Sequence, residues 1–407
     1  MHKFILLTIV IFFAVNLYAE DIQIKSLQTY TTTNQLSFPV LSSSDEFLII
    51  EFDVKANYPP NFNILFRFCD RNWKPTDNIF LQNVGQNILY NLDYFILPIT
   101  TIDANYHFTN RFPDKDGYVK FPFSGKWRFY VVDSQDTSIV YADGQFVVVK
   151  SEQPMITTVK NETLEDQIYY PPQLAQVNWI TINTNLKEEY SPFYVDEVEI
   201  IKDHLISCPI IVDKNLTNRN RIFEWDGGSK LKFTAMDVRP GNEYRQTNLQ
   251  DINVYNSPDV KAQFDGMEYS RFYFKTPKDL NGGFSLTPAK NVNAIYMNVT
   301  FQIKPPEDFF GDIYLVGAFN NWQLSDAFLM DFTGDHYEKV ITLKRGIYDY
   351  QYVVVNGDNK LEKNQDWFKL EGNDWSTTNE FNIFLWYRDQ EYGGYDRIIG
   401  YSKIQTR

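Results

Sequence analysis

The chain has 407 residues, of which 17% are aromatic, including 33 Phe and 27 Tyr. That length buries several cores, and large aromatic side chains suit half-buried pleated sheet, so roughly two to four β-rich domains are expected. A net charge of −14, with no run of Lys or Arg to offset it, repels nucleic acid and anionic lipid surfaces.

The N-terminus reads as a secretory leader. His2 and Lys3 precede an apolar run from Phe4 to Val15, and Tyr18-Ala19 supplies a small residue before Glu20. Residues 1–19 are therefore expected to be a signal peptide cleaved after Ala19. The run falls short of the about 20 apolar residues that a membrane span requires. No Cys lies near the cleavage point for a lipoprotein anchor, and no later stretch is long and apolar enough to cross a bilayer. The mature chain is expected to be exported and either soluble or peripherally attached.

Alternating strands follow. Phe47–Val54 is one, and Phe62, Ile64, Phe66 and Phe68 mark one face of the next. Asp70 to Pro75 reads as a turn, because Pro75 pushes its predecessor out of the helical region. Trp127–Val132 and Gln145–Val149 are further strands, with Asp143-Gly144 read as the turn before the second. These elements define an N-terminal β-sandwich over 22–150. Strands at Val195–Ile201, Pro209–Val212, Arg221–Trp225, Leu231–Met236, Ser270–Lys275 and Ile295–Ile303 define a middle β domain over 155–304. Lys304-Pro305-Pro306 reads as a boundary, because adjacent prolines cannot continue a central strand. A third unit covers 307–401. The fold class expected is all-β, as tandem immunoglobulin-like β-sandwiches.

Catalytic and metal chemistry find no support. His107, His204 and His336 are not at metal-ligand spacing, and Cys69 and Cys208 lack a CxxC partner. No Gly-rich phosphate loop and no GxSxG elbow occur. The chain is expected to be non-enzymatic, with no cofactor, metal or catalytic residues. Cys69 and Cys208 fall in different domains and are expected to be two buried free thiols.

The third unit carries the most informative pattern. Gly311 to Trp322 is an alternating strand running into Gly-Ala-Phe-Asn-Asn-Trp, and Gly346 opens a second strand bearing Tyr348, Tyr350 and Tyr352. The pair resembles the immunoglobulin-like module of glycogen-binding subunits and branching enzymes. That resemblance implies a glycan or partner contact at Asn320, Asn321 and Trp322. The competing reading puts the tyrosines in the core and Trp322 over its end. Such modules usually carry a Lys where this chain has Gln351, and a second Trp after an Asp-Gly turn. Here Asn356-Gly357 is followed by Asp358 and Asn359.

A second resemblance covers more of the chain. Its segments are Phe66-Arg67-Phe68-Cys69-Asp70-Arg71-Asn72-Trp73-Lys74-Pro75, Tyr106 to Pro113, Phe123-Ser124-Gly125-Lys126-Trp127, Pro240-Gly241-Asn242-Glu243-Tyr244-Arg245 and Tyr395 to Tyr401. In this order, with the Trp322 turn, they resemble a Bacteroidetes-type envelope family described as the plug protein of the type IX secretion system. The resemblance implies a periplasmic subunit, monomeric outside its complex. Its partner would be a giant outer-membrane translocon barrel, whose periplasmic end it closes by steric occlusion. The alternative is a periplasmic α-glucan-binding protein acting through the C-terminal module.

Overall fold

A computed structural model describes residues 22–82, 87–164, 171–216, 218–275, 277–307, 309–356 and 364–406. The expected leader and residues 357–359 of the Asn356-Gly357 turn lie outside them. The regular secondary structure of the described chain is nearly all strand, in six sheets that stack in pairs as three sandwiches.

The first sandwich packs the sheet of Gln23–Thr31, Leu48–Lys55, Tyr106–Phe112 and Tyr94–Ile96 on a five-stranded sheet centred on Val140–Val148, Gly125–Asp133 and Phe62–Cys69. Period-two alternation sends Leu48, Ile50, Phe52 and Val54 inward from one sheet, and Phe62, Ile64, Phe66 and Phe68 from the other. The rings meet edge-on or stacked, as in Phe66 against Phe112 at 4.7 Å and Phe52 against Phe108 at 5.1 Å. Asp143-Gly144 is not a turn. Both residues lie within the strand Val140–Val148, with Gly144 opposite Phe129. A Cβ at Gly144 would sit 2.4 Å from the Phe129 ring, so this glycine makes room for a neighbour rather than bending the chain.

The middle sandwich shows how the strands regroup. One sheet holds Ile156–Thr163, Gln176–Asn185, Lys230–Val238 and Arg221–Trp225. The other pairs Ile210–Asp213 and Val195–Lys202 with Glu380–Asp389 and Tyr395–Gln405, so the last two strands of the chain complete the middle core. The third sandwich occupies the interval between Val238 and Glu380. Arg245–Asn248, Phe284–Leu286 and Asp312–Gly317 pair with Gly346–Asn356, while Tyr296–Lys304 pairs with Tyr337–Lys344. The boundaries expected at 304 and 307 therefore cut through one sandwich. Pro305-Pro306 carries the chain from one sheet of that sandwich to the other. Proline stops a strand wherever the chain changes sheet, whether or not a domain ends there.

Two further expectations are corrected. Ser270–Lys275 is irregular chain, with Tyr273 and Phe274 exposed. Of the two thiols, both free, Cys69 is buried but Cys208 is exposed.

Candidate functional site

The Gly-Ala-Phe-Asn-Asn-Trp turn does not present a binding platform. Trp322 is 1% exposed, its Nε1 donates to the Gly282 carbonyl at 2.8 Å, and its ring packs on Tyr244 at 4.3 Å. Asn320 is spent inside the turn: its Oδ1 accepts from Gly317 N at 3.0 Å, and its Nδ2 donates to the Leu315 and Gln323 carbonyls. Asn321 is exposed and sits at φ 52°, a left-handed position that Asn tolerates. Only Asn321 of the three has a side chain open to a ligand, so the sugar platform expected here is absent. Tyr348, Tyr350 and Tyr352 are buried too, with Tyr350 and Tyr352 both donating to Glu268. Gln351, standing where glycogen-binding modules carry Lys, donates to the Trp367 carbonyl at 2.6 Å.

The turn instead packs inside the third sandwich against Tyr244, in an apolar cluster that Leu205 of the middle sandwich also joins, and the other quoted motifs lie at seams. At the junction of the first and middle sandwiches, Lys126 Nζ contacts Glu199 at 2.7 Å with both side chains 2% exposed. Trp386 Nε1 donates to the other Glu199 oxygen at 2.9 Å, and Lys126 Nζ lies over the Trp73 ring at 4.7 Å. Arg71 fans out to Asp196, Glu197 and Asp396 at 3.3 to 3.5 Å. Burial pushes the Glu197 carboxyl up to about 7, against the pull of Arg71. Ser124 Oγ donates to the Ile398 carbonyl at 2.6 Å. An apolar cluster that includes Phe38, Val147, Ile201, Phe384 and Trp386 fills the same seam.

At the junction of the first and third sandwiches, Asp53 is the hub. Its carboxylate meets His107 Nδ1 at 2.7 Å and Lys344 Nζ at 2.6 Å, and accepts from Tyr296 Oη at 2.8 Å. Burial would raise the Asp53 carboxyl, but His107 and Lys344 bring it below its ordinary value. His107 moves the other way: burial would lower it, and its bonds to Asp53 and Glu51 raise it.

At the junction of the middle and third sandwiches, Tyr244 Oη donates to Asp203 at 2.9 Å, and Asp203 also accepts from Glu380 N at 2.8 Å. Nearby, Asp349 accepts from Leu280 N and Gly282 N at 2.7 and 3.0 Å, and Asp279 accepts from Tyr244 N. Burial pushes Asp203 up to about 7; burial and repulsion from Asp349 raise Asp279, and burial with repulsion from Glu243 raises Asp349.

Sequence reasoning missed Asp53, Lys126, Glu199 and Lys344 as contact residues. Asp53 and Lys126 alternate with core residues and so sit on the outward faces of their strands, which read as solvated. Their partners lie 291 and 73 residues away, beyond any local signal. The one usable hint was the clustering of quoted motifs: Arg71, Trp73, His107, Lys126, Tyr244, Trp322 and Asp396 all lie at seams.

Elsewhere the surface carries exposed apolar side chains. A loop after Tyr94–Ile96 exposes Ile96 by 75%, Ile99 by 98% and Ile102 by 85%. Thr100 Oγ1 pins the loop to the Val292 carbonyl of the third sandwich at 2.6 Å. Clustered exposed apolar groups of this kind mark interaction surfaces. Among the described residues, no group of three or more His, Cys, Asp and Glu side chains is placed to hold a metal ion, and no helix is long and apolar enough to cross a membrane.

Three sandwiches joined by buried polar seams define the class: an all-β, multi-sandwich protein built as one body. Residues 24–150 match the family model described as the type 9 secretion system plug protein, first domain. A crystal structure of a hypothetical protein from Parabacteroides merdae ATCC 43184 superposes with a TM-score of 0.74 at 20% identity, over 95% of this chain and 98% of that one, and so shares the fold. A bacterial ice-binding adhesin aligns at 9% identity with a TM-score of 0.15, too low for a common fold. No curated protein matches the chain.

Proposed function

We propose that this protein is a non-enzymatic plug subunit of the type IX secretion system. It stands on the periplasmic side of the outer membrane and closes the periplasmic end of a large translocon β-barrel by filling it. The observation that carries this reading is the family match over residues 24–150. The seams support it physically. An occluder works by holding its shape, and buried, hydrogen-bonded ion pairs at two seams resist hinge motion between sandwiches. Residues resembling the family outside 24–150 recur at those seams, which fits a whole chain shaped for one task.

The test is affinity capture of the tagged protein from native envelopes in mild detergent. Co-purification of a large outer-membrane barrel is the expected result. Recovery of no such barrel from a secretion-competent strain would sink the reading.

A further inference from the structure

One cleft borders the middle–third seam, with Tyr244 and Gln351 in its wall, and has no role in the contacts above. It lies where the middle sandwich meets the third, encloses about 280 Å³, and has Leu205, Ile210, Val238, Trp367 and Phe368 among its walls. That is the small end of the range for ligand sites, which favour domain boundaries. Its charges are out of balance. Lys202 and Arg221 line it, both partly buried. Lys202 Nζ donates to the Pro240 carbonyl, and Arg221 Nη1 donates to the Asn220 and Met236 carbonyls at 2.7 Å each. Among the described residues, neither cation forms an ion pair with a carboxylate. Two carboxylates border the cleft. Glu371 is held by Arg245 and Arg271 at 3.0 and 2.8 Å, and Asp237 attracts Arg221 without a direct ion pair between them. Burial holds Lys202 and Arg221 below their ordinary ranges despite neighbouring acids, as befits cations short of negative charge.

A half-buried cation with no carboxylate in direct contact is incompletely compensated, although Asp203, Asp279 and Glu243 act on Lys202 and Asp237 acts on Arg221 from further off; an anion that touches both cations and covers apolar wall would complete it. We propose that this cleft binds a carboxylate carried on an apolar body. Arg221 and Lys202 take the carboxylate, and Leu205, Ile210, Trp367 and Phe368 take the apolar part. Such a group can come from a free fatty acid or from the C-terminus of a peptide that ends in an apolar residue. The assignment stands apart from the plug reading and does not depend on it.

Cys208 lines the same cleft and is exposed, whereas burial pushes the Cys69 thiol up to about 12 and keeps it protonated and inert. Alkylation of the native chain by iodoacetamide therefore reports on the cleft. The probes are decanoate, a short peptide ending in Leu-Phe with a free terminus, and its amidated twin. The expected result is slowed Cys208 alkylation with decanoate, with the free-acid peptide, or with both. Decanoate alone assigns a free acid, the peptide acid alone a chain terminus, and both together the shared chemistry. Arg221→Gln should weaken the protection by roughly tenfold, the loss of one charge-assisted hydrogen bond. Cys208→Asp, which adds repulsion at the exposed rim and leaves the core alone, should weaken binding measured by calorimetry. No protection by any probe, equal protection by the amide, or undiminished binding in Cys208→Asp overturns the proposal.

Discussion

The first sandwich is held to its neighbours chiefly by buried carboxylates in direct contact with lysines, whereas the middle and third sandwiches meet across carboxyls that burial favours as neutral acids. Asp53 and Glu199 each find a lysine at 2.6 to 2.7 Å. Asp203, Asp279 and Asp349 find mainly hydroxyl and main-chain N–H donors, and their carboxyls move up. A cation in direct contact stabilises a buried carboxylate as an ion; without that contact desolvation dominates, and at Asp203 it outweighs even the more distant pull of Lys202. The same residue type thus builds two kinds of seam, and they should fail under opposite conditions.

The charged seams can be broken first. Lys126→Met leaves Glu199 buried with only the Trp386 N–H as a direct side-chain partner, and should cost about 3–5 kcal/mol of stability in urea unfolding. Lys344→Met should cost less, about 2–3 kcal/mol, because His107 and Tyr296 still hold Asp53. That residual support is strongest with a protonated imidazole, since a neutral Nδ1–H ring donates the bond without the charge. The Lys344→Met penalty should therefore grow as pH rises through the raised His107 value. Equal penalties for the two variants, with no pH dependence for the second, would remove the distinction in redundancy.

The pH response separates the seams further. Asp53 titrates below its ordinary value in the folded chain, so its contribution is present above the unfolded carboxylate range and lost as pH falls through the folded value. Asp203 titrates at about 7, so its contribution is present below the unfolded carboxylate range and lost as pH rises through about 7. Hydrogen exchange should show Tyr244, Leu280 and Gly282 losing protection first on the alkaline side. His107 and Lys344 should lose it first on the acid side. Coincident loss at both seams would contradict the contrast.

Smaller effects test the turn. Trp322→Phe strands the Gly282 carbonyl and should cost about 1–3 kcal/mol in thermal unfolding, with the greatest loosening at the middle–third seam. Asn321→Ala should cost about 1 kcal/mol from its left-handed backbone, while Asn321→Gly should be near neutral. A near-neutral Trp322→Phe would mean that this ring is not part of the seam.

Much of the fold was legible from local pattern. Alternation at Phe62–Phe68 and Met297–Ile303 reports the face of a strand, because the pleat turns successive side chains to opposite sides. The same pattern says nothing of which strand lies alongside. Glu380–Asp389 joined the middle sandwich and the Pro305-Pro306 step fell inside the third for that reason. The candidate site was left between two readings on similar grounds. Trp322 flanked by two asparagines has the composition of a sugar platform, but only the position of Tyr244, 78 residues earlier, and of Gly282 decides whether its face is open.

The sequence by itself determined an all-β chain and the set of motifs that resemble an envelope plug family, since both follow from local residue order. The tertiary structure alone decided where sandwiches begin and end, which outward-facing charges are buried, and what the motif residues touch. The physical reason is range: pleat, proline and turn chemistry act over a few residues, whereas Asp53 and Lys344 are brought within 2.6 Å by the packing of whole sheets.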